Sequence, residues 1–566
     1  MAHYILTVHK KPQIHRLQGK DLEQIFDAPV DDHTIIHQDN CSILCWGDPA
    51  CRDKDHLIIR DVLAGKHKAY WGRSWLALDH LNSTVKANTD VLGLFPVWLK
   101  RGGDIIQLAT SRQTLYKLSQ NEKLDDTSMR MLVAFGQLFG ECTLWQNIRC
   151  LSGRSRLTIN AFADIELEST HSPVLYNSQT RFEDALEAFV EAVRIAFSQG
   201  TAPLVSLSGG LDSRLILSAA IALGKKPETL TYGHPESGDY QIAHTLAQHA
   251  GLKLFTGQSS IDPTQYQTVQ RVAQLGAGEV PLHHAHSVLD CKLLAQTSGR
   301  TLLTGTGAET TRAFYYDRGF PGYSLFGQGV VARDQLMGKA RSYIQQEFAK
   351  SATPFFEYAP QFKQTMMAEL NKRIDEHIDY FSTPAMFLDN FYVQNRVARF
   401  VANGQQMLDT HYLRCHPFLN QDALYQMAHL PVRFKLGSTF HRKAIEILAP
   451  KLASIRWDKT DKPLSKGLPL SYRYPALASR LGVNRWGKQT TPLFSYASLS
   501  DNLSVTHLES SLDQMRCNLN IKEERDLQHI RNHLPTLGYS AVWAHLSKLG
   551  APSSSSRAQV AQESEL

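Results

Sequence analysis

The sequence predicts an α/β protein whose central unit is a doubly wound parallel sheet. From residue 202 onward, short apolar segments alternate with helical patterns along the chain. The strands are PLVSL (203–207), ETLTYG (228–233), LKLF (252–255) and RTLLTGTG (300–307), and the helices are SRLILSAAIALG (213–224) and DYQIAHTLAQHAG (239–251). Strands that alternate with helices form βαβ units, in which the strands lie parallel to one another.

Different patterns flank this unit. Residues 1–165 contain short strand-like segments such as HYILTV and DIIQLATS, and RGGD (101–104) between two apolar runs predicts a hairpin turn. FEDALEAFVEAVRIAF (182–197) has apolar residues at helical spacing and predicts a helix that packs on a core. Residues 335–450 are mostly helical in pattern.

These patterns predict two domains, 1–165 and 182–545, joined by a polar, turn-rich linker over 166–181. A length of 566 residues also favours more than one domain. The tail 550–566 is low in apolar residues and is predicted to be disordered.

Composition argues against two classes of partner. The formal net charge of +6 is small and spread along the chain, so a nucleic-acid partner is not expected. No apolar run reaches the length that spans a membrane, and the segment MAHYILTVHKK is too short in apolar residues for a signal peptide. Eight cysteines in a chain of this length suit a reducing compartment. A cytoplasmic protein is predicted.

Three of the cysteines, Cys41, Cys45 and Cys51, lie close together, with His37 and His56 nearby. These residue types bind zinc in other proteins, but no CxxC pair is present. The segment CSILCW also has the pattern of a half-buried strand. Buried thiols of the core are therefore favoured over a metal site.

The stretch LVSLSGGLDSRLI (204–216) carries the clearest chemical signal. An apolar strand ends at a Ser, and a Gly-rich turn then leads into a helix. The free N–H groups of a first helical turn and the helix dipole both favour a phosphate. Gly209 and Gly210 allow an oxyanion to approach the main chain, and Ser208 and Ser213 add hydroxyl donors. The stretch therefore predicts an anion site.

Asp212 is the unusual member of this stretch, because a carboxylate beside phosphates repels them. Its presence is explained if it binds a Mg²⁺ ion that also binds the phosphates. The stretch lacks the Gly-Lys-Ser/Thr ending of a Walker A loop.

SGGLDS resembles the pyrophosphate-binding loop, or PP-loop, of the N-type ATP pyrophosphatases, which cleave ATP to AMP and pyrophosphate. Further segments resemble the asparagine synthetase family, which includes the β-lactam synthetases and the lasso peptide cyclases. These segments are TDVLGLFPVW (89–98), FGECTLWQNIRCLSGRSRLTI (139–159), TGTGAETTRAFY (304–315), HPFLNQDAL (416–424) and RWDKTDKP (456–463). The resemblance covers roughly residues 60–470.

This resemblance implies a fold, two ligands and a set of site residues. The first domain is expected to be an αββα sandwich like that of the Ntn hydrolases, followed by the ATP pyrophosphatase domain. ATP and Mg²⁺ are the implied ligands. The implied ATP-binding residues are Ser206, Leu207, Ser208, Gly209, Gly210, Leu211, Asp212, Ser213, Tyr232, Gly233 and Gly305. Asp212 and Glu309 are the implied metal ligands, and Lys459, Glu309 and Thr306 are the implied catalytic residues.

The first domain departs from the family in its chemistry. Glutamine-using members expose an N-terminal Cys as the nucleophile, whereas residue 2 here is Ala and the first cysteine is Cys41. Without a thiolate at that place no acyl-enzyme can form. A degenerate glutaminase domain is therefore predicted.

The second domain also departs from the family, in the segment TGTGAETTRAFY. Thr306 and Glu309 stand where the family has two Asp residues, and Thr310 replaces the acid that follows. The Tyr and Glu that act as the base in β-lactam synthetases have no counterpart. We expect a base elsewhere, with His411, His416 and the substrate amine as the candidates.

Four further sets of residues leave alternatives open. Lys459 matches a family Lys near the reacting acyl-phosphate, but Lys462 and Lys466 nearby also suit a solvated loop. Gly233 and Asp239 follow a strand at the place where the family contacts adenosine. HHAH (283–286) lacks acidic or Cys partners, which argues against a metal there. Arg396 and Arg399 suit a phosphate or carboxylate ligand as well as a structural ion pair.

The sequence thus predicts a ligase that adenylates a carboxylate with ATP and joins it to an amine. The expected partners are carboxylate and amine substrates, either small molecules or peptides, and a homodimer is left open. An ammonia-dependent asparagine synthetase, a tRNA-thiolating or NAD-forming pyrophosphatase, and a nucleotide-binding pseudoenzyme are the alternatives. The matching first domain and the missing CxxC pair argue against the second of these.

Overall fold

The protein is described from a computed structural model, in which a large N-terminal β region leads into an α/β unit. The described residues are 3–9, 22–24, 33–38, 40–169, 180–199, 203–233, 235–257, 266–282, 297–312, 333–381, 383–409, 411–468, 538–540, 542–543 and 545–546. The predicted tail, the segment HHAH (283–286) and nearly all of HSPVLYNSQT (171–180) lie outside them.

Two antiparallel sheets form the N-terminal region. Their strands are β1 (Tyr4–His9), β2 (Leu22–Gln24), β3 (His33–Gln38), β4 (Cys41–Gly47), β5 (Arg73–Asp79), β6 (Thr84–Asn88), β7 (Trp98–Gly102), β8 (Ile105–Ala109), β9 (Ile148–Cys150), β10 (Arg156–Ile159) and β11 (Ile165–Glu168). One sheet has the order β2-β1-β8-β7-β9 and the other β11-β10-β6-β5-β4-β3. The predicted hairpin at RGGD is confirmed, because it joins the paired strands β7 and β8.

Apolar side chains from both sheets contribute to one continuous core, among them Leu44 and Leu76 from one sheet and Ile106 and Leu108 from the other. Three helices belong to this region: α1 (Asp55–Leu63), α2 (Arg112–Leu118) and α3 (Asp126–Phe135). The helix α1 packs against β4 and β5, and α2 packs against β1 and β8. The assignment of this region as an Ntn-hydrolase-like sandwich stays a prediction.

The segment CSILCW is wrong as a half-buried strand, because β4 is buried on both faces from Ser42 onward. One face joins the core between the sheets through Leu44 and Trp46. The other face packs beneath α1, where Ile43 and Cys45 meet Ile58. Alternation of polar and apolar residues is lost when both faces of a strand are covered.

The α/β unit contains a five-stranded parallel sheet, which confirms the predicted arrangement. Its strands are β12 (Pro203–Ser206), β13 (Glu228–Tyr232), β14 (Leu254–Gly257), β15 (Thr301–Leu303) and β16 (Leu413–Cys415), in the order β14-β13-β12-β15-β16. The chain winds outward from β12 to β14 and then returns to the other side of β12. The direction of winding therefore reverses between β12 and β15.

Four helices accompany these strands: α4 (Phe182–Ser198), α5 (Leu211–Ala222), α6 (Gly238–Ala250) and α7 (Tyr266–Gly276). The predicted helix at 182–197 is confirmed as α4. The helix α5 begins two residues before the predicted start, with Gly210 as its N-cap. The strand predicted at LKLF begins only at Leu254, because Gly251 ends α6 in the left-handed conformation and the next two residues connect helix to strand.

Both faces of the parallel sheet are covered. Val205 and Leu303 pack with α4, α5 and α6 on one face. Leu204 and Leu302 pack with Tyr412 on the other. This double coverage explains why the strands read as short continuous apolar runs.

The rest of the described chain is mostly helical. Its helices are Arg333–Ser351, Thr353–Tyr358, Lys363–Ile378, Pro384–Phe391, a π-helix Tyr392–Val401, Ala402–Gln405, Gln421–Ala428, Val432–Lys435, Thr439–Leu448 and Pro450–Ala453. A two-stranded hairpin, β17 (Arg456–Trp457) with β18 (Lys462–Pro463), follows them. No helix in the described ranges has the length and apolar character needed to cross a membrane.

A buried arginine joins the N-terminal region to the α/β unit. Arg112 on α2 donates to Oε1 of Gln406 at 3.0 Å, to the carbonyl of Gly276 at 2.6 Å and to Oε2 of Glu279 at 2.9 Å. The other oxygen of Glu279 accepts from the N–H of Leu144. The side chains of Arg112 and Glu279 are fully buried. This paired and hydrogen-bonded contact fixes the orientation of α2 on the α/β unit.

Candidate nucleotide site

The candidate site lies at the carboxyl ends of β12 and β15, where the winding of the sheet reverses. Open α/β sheets bind ligands in the crevice at this place, because the loops of the two neighbouring strands diverge there. A cavity of about 490 Å³ opens between the loops. Seven of the predicted site residues line it: Ser206, Ser208, Asp212, Ser213, Gly305, Thr306 and Glu309.

Hydrogen bonds hold the loop after β12 in place. The N–H of Ser208 donates to Oγ of Ser213 at 3.1 Å, and the N–H of Gly210 donates to Oγ of Ser208 at 3.2 Å. The N–H of Gly209 donates to Oδ1 of Asp239 at 2.8 Å. The helix α5 then begins without a side-chain cap on its first turn. The amides of that turn are therefore suited to bind an anion in the cavity.

Two glycines allow close approaches that a β-carbon would block. A β-carbon on Gly209 would lie 2.9 Å from Oδ1 of Asp239 and 3.1 Å from Cβ of Asp458. A β-carbon on Gly305 would lie 2.8 Å from Cβ of Asp212. Gly305 thus lets the loops after β12 and β15 contact each other, and Gly209 lets the loop after β12 pack against Asp239 and Asp458.

Asp212 and Glu309 meet at one guanidinium group. Nη2 of Arg312 lies 2.7 Å from Oδ2 of Asp212 and 3.8 Å from Oε1 of Glu309. On the other side of Asp212, Nε2 of His441 lies 3.2 Å from Oδ1. Asp212 lies on α5 after β12 and Glu309 lies on the turn Ala308–Thr311 after β15, so the switch point of the sheet brings them together.

The surroundings separate the protonation states of the two carboxylates. Burial alone would raise the pKa of Asp212, but Arg312, His441 and Lys459 together lower it. Burial raises the pKa of Glu309; Arg312 opposes this rise and Asp212 adds to it. The two pKa shifts therefore favour the anionic form more strongly at Asp212 than at Glu309.

The donor set fits a divalent cation that is shared with phosphates. Magnesium commonly takes one or two carboxylates from the protein and further oxygens from a nucleotide. Within the described parts of the chain, no cluster of three or more His, Cys, Asp or Glu forms a metal site made by the protein alone. Asp212 and Glu309 supply the two carboxylates, but Arg312 already contacts Asp212.

Thr306 ends a buried series of hydrogen bonds. Nη1 of Arg414 lies 3.3 Å from Nε2 of His416, and because arginine can only donate, this nitrogen is the acceptor. In the neutral ring Nδ1 then carries the proton and donates to Oγ1 of Thr304 at 2.7 Å. Thr304 in turn donates to Oγ1 of Thr306 at 2.9 Å, and the amide of Gln405 donates to the same oxygen at 2.7 Å. Thr306 accepts twice, so its own proton is left for a group in the cavity.

Neither candidate histidine is placed to act as the base. His416 is 1% exposed, and burial together with Arg414 holds its pKa well below the ordinary value. A second proton on His416 would face the Arg414 cation. Burial also lowers the pKa of His411, which lies near Arg271 and Arg300 and does not line the cavity. Of the three candidate bases, the substrate amine therefore remains.

Lys459 lies in the turn of the hairpin β17–β18, outside the cavity lining. Its charge nevertheless contributes to the low pKa of Asp212. The buried guanidinium of Arg214 holds this segment against the loop after β12, since it donates to the carbonyls of Ile455 and Arg456 at 3.0 and 2.9 Å.

The remaining predicted residues of the loop and of β13 are not among those that line the cavity. Leu207 donates its N–H to the carbonyl of Leu230, and Leu211 is fully buried in the core beneath α5. Tyr232 and Gly233 lie at the carboxyl end of β13, where the N–H of Gly233 donates to the carbonyl of Gly257. These residues shape the edge of the crevice, and their contact with a nucleotide stays a prediction.

Arg396 and Arg399 lie on the π-helix Tyr392–Val401, a form that occurs frequently at functional sites. Arg399 lines the cavity and donates to the carbonyl of Cys142. Arg396 donates to Oε1 of Gln137 at 3.0 Å and stacks on Phe400. Both side chains thus connect the helix to the N-terminal region, and Arg399 also faces the ligand space.

The buried thiols in the described chain are poor nucleophiles. Cys45, Cys51, Cys150 and Cys415 are buried, and Cys41 and Cys142 are half-buried. Burial raises the pKa of Cys51 to about 12 and that of Cys150 to about 11. The thiolate, which is the reactive form, is therefore rare at neutral pH.

Sequence reasoning missed several side chains of the site. Arg312 and His441 contact Asp212, Gln405 contacts Thr306, and Arg214 supports the loop. Of these four residues, only Arg214 could have been recognised from the sequence, because a charged residue inside the apolar run of α5 requires buried partners. The other three come from segments far apart in sequence.

The loop, the carboxylate pair and the switch-point crevice define an α/β domain with a candidate anion-binding site. Comparison with known proteins identifies it further: residues 184–435 match the family model for asparagine synthase. The chain is also 20% identical over 196 residues to asparagine synthetase [glutamine-hydrolyzing] 1 of Bacillus subtilis strain 168. That match covers 34% of this chain and 30% of the relative's length. Residues 184–435, somewhat less than half of the chain, are thus similar to the asparagine synthase family.

Proposed function

We propose that the protein is an ATP-dependent ligase that adenylates a carboxylate and transfers the acyl group to an amine. The uncapped first turn of α5, with Asp212 facing Glu309 across the switch-point crevice, is the observation that carries this proposal. The asparagine synthase family match over the same segment supports it. The carboxylate and the amine are small molecules or peptides in this proposal.

The residues divide the reaction between them. A carboxylate oxygen of the substrate attacks the α-phosphorus of ATP, and the bond from that phosphorus to the β-phosphate oxygen breaks. The amides of α5 and the hydroxyls of Ser208 and Ser213 bind the departing pyrophosphate. A divalent cation on Asp212 and Glu309, when bound, neutralises part of its charge.

Amide formation follows in the same cavity. The amine attacks the acyl carbonyl, the tetrahedral intermediate expels AMP, and the amine nitrogen releases its proton to water. The hydroxyl of Thr306 is oriented by two donors, so it is suited to donate to a negative oxygen in the cavity. We assign Thr306 to this role and not to that of a base.

The products of ATP cleavage test the proposal. We expect AMP and pyrophosphate to form in equal amounts when protein, Mg²⁺, ATP and the correct acid and amine are present. The reason is that the loop resembles one that holds pyrophosphate as the leaving group. Chromatography of the nucleotides measures this result. ADP as the product would assign the protein to a kinase-like class instead.

We further propose that the protein has no glutaminase activity. The cysteine nucleophile of glutamine-using relatives has no counterpart at residue 2, and burial raises the pKa of the Cys51 and Cys150 thiols. Incubation with glutamine should give no glutamate above the level without protein, as measured by a coupled glutamate dehydrogenase assay. Glutamate formation that disappears when one cysteine is replaced would contradict this.

A further inference from the structure

The guanidinium of Arg312 lies beside the two carboxylates to which a divalent metal ion would bind. One nitrogen of its guanidinium contacts both carboxylates of the pair, at 2.7 Å from Asp212 and 3.8 Å from Glu309. The Arg312 side chain is 17% exposed and that of Asp212 is 22% exposed, so water screens the contact only partly. The positive charge therefore stands close to the oxygens to which a divalent cation would bind.

A rigid turn holds Arg312 at this place. It follows the short 3₁₀ turn Ala308–Thr311, which begins after Gly307 in the left-handed conformation. Thr310 and Thr311 are buried, and their hydroxyls donate back to the carbonyls of Gly307 and Ala308. The N–H of Arg312 donates to the carbonyl of Glu309. Glu309 and Arg312 are thus fixed on one turn, and only side-chain rotation separates the guanidinium from the carboxylates.

We propose that Arg312 is a built-in cation that competes with divalent metal ions for Asp212 and Glu309. A metal ion then enters only when the guanidinium leaves Asp212. Phosphate groups offer Arg312 an alternative partner, because a guanidinium binds phosphate with two parallel hydrogen bonds. Metal and nucleotide therefore bind together, and the site without nucleotide has a low affinity for free metal.

This inference rests on the proposed nucleotide site, but it is tested without turnover. The probe is Mn²⁺, titrated into nucleotide-free, full-length protein while free Mn²⁺ is followed by electron paramagnetic resonance. Arg312→Gln should bind Mn²⁺ about tenfold or more tightly than the wild-type protein, because a positive charge a few ångströms from the metal is removed. Arg312→Ala is a second variant that removes the charge.

Two controls separate the charge from other effects. Arg312→Lys keeps a cation and should bind Mn²⁺ close to the wild-type affinity. The double variant Asp212→Asn with Arg312→Gln should lose the gain, because it lacks the carboxylate for which the two cations compete. Equal affinities in the wild-type, Gln and Ala proteins would overturn the inference, as would a gain that survives in the double variant.

The outcome is independent of the proposed reaction. A wild-type protein without ligase activity can still show tighter Mn²⁺ binding in Arg312→Gln, and an active ligase can fail to show it. The products of ATP cleavage decide the first question, and the Mn²⁺ affinities decide the second.

Discussion

Asp212→Asn is expected to lower the rate of ATP cleavage by about 10²–10³-fold, the size of effect seen when one preorganised group that stabilises transition-state charge is removed. The substitution keeps the shape of the side chain but removes the negative charge. Arg312 and His441 then lose the carboxylate that they contact at 2.7 and 3.2 Å. Steady-state rates with saturating ATP and Mg²⁺ measure the effect.

A matched control is Asp184→Asn. Asp184 is a carboxylate on α4 that pairs with Arg181 at the surface, where an ion pair contributes little to stability. We expect its rate to equal that of the wild-type protein. Equal rates in both Asn variants would remove Asp212 from the role assigned to it, and with it the metal-binding role of the loop.

Thr306→Val is expected to lower the rate of amide formation by about 10²-fold, because it replaces the oriented hydroxyl by a methyl group of similar size. It also leaves the amide of Gln405 and the hydroxyl of Thr304 without their acceptor. This loss costs about 1–3 kcal/mol of folding stability. A thermal melt beside the rate measurement separates the two effects.

Thr306→Ser is the conservative partner of this variant. Serine retains a hydroxyl that can accept from Gln405 and Thr304, so most of the activity should remain. If the Ser variant is as slow as the Val variant, the hydroxyl is not the working group. If both variants are as fast as the wild-type protein, Thr306 has only a structural role.

The sequence predicted the elements that local pattern controls. The strands β12 and β13, the helices α4 and α6 and the Gly-rich loop each have a periodic pattern or a turn signal within a few residues. The parallel order follows from their alternation. The resemblance to the asparagine synthetase family assigned residues 208–213 and 305–309 to one site, and the switch point between β12 and β15 explains why these two loops meet.

The charge balance of the site was not predictable in the same way. Arg312 reads as one basic residue among 60, and nothing local shows that it contacts a carboxylate 100 positions away. His416 looked like a candidate base because its chemistry suits the role. In the structure His416 instead accepts a hydrogen bond from Arg414 and donates one to Thr304. The pairing of β16 with β15 brings these residues together. Tertiary contacts decide what a titratable residue does.

The half-buried pattern of β4 failed for a related reason. The helix α1 covers the outer face of β4, so both faces of the strand are buried. This helix lies outside the few residues from which the strand was predicted. Alternation predicts a solvent-exposed face only when the partner layers are known.

Exchange of labelled pyrophosphate into ATP tests the central claim most directly, because it requires a reversible adenylation step and a loop that holds pyrophosphate. The wild-type protein with ATP, Mg²⁺ and labelled pyrophosphate is incubated with a panel of amino acids, small diacids and peptide acids. We expect label to enter ATP with the correct acid and not with amines alone, which also identifies the acyl substrate. Absence of exchange with every acid in a broad panel would contradict the account and favour a nucleotide-binding protein without turnover.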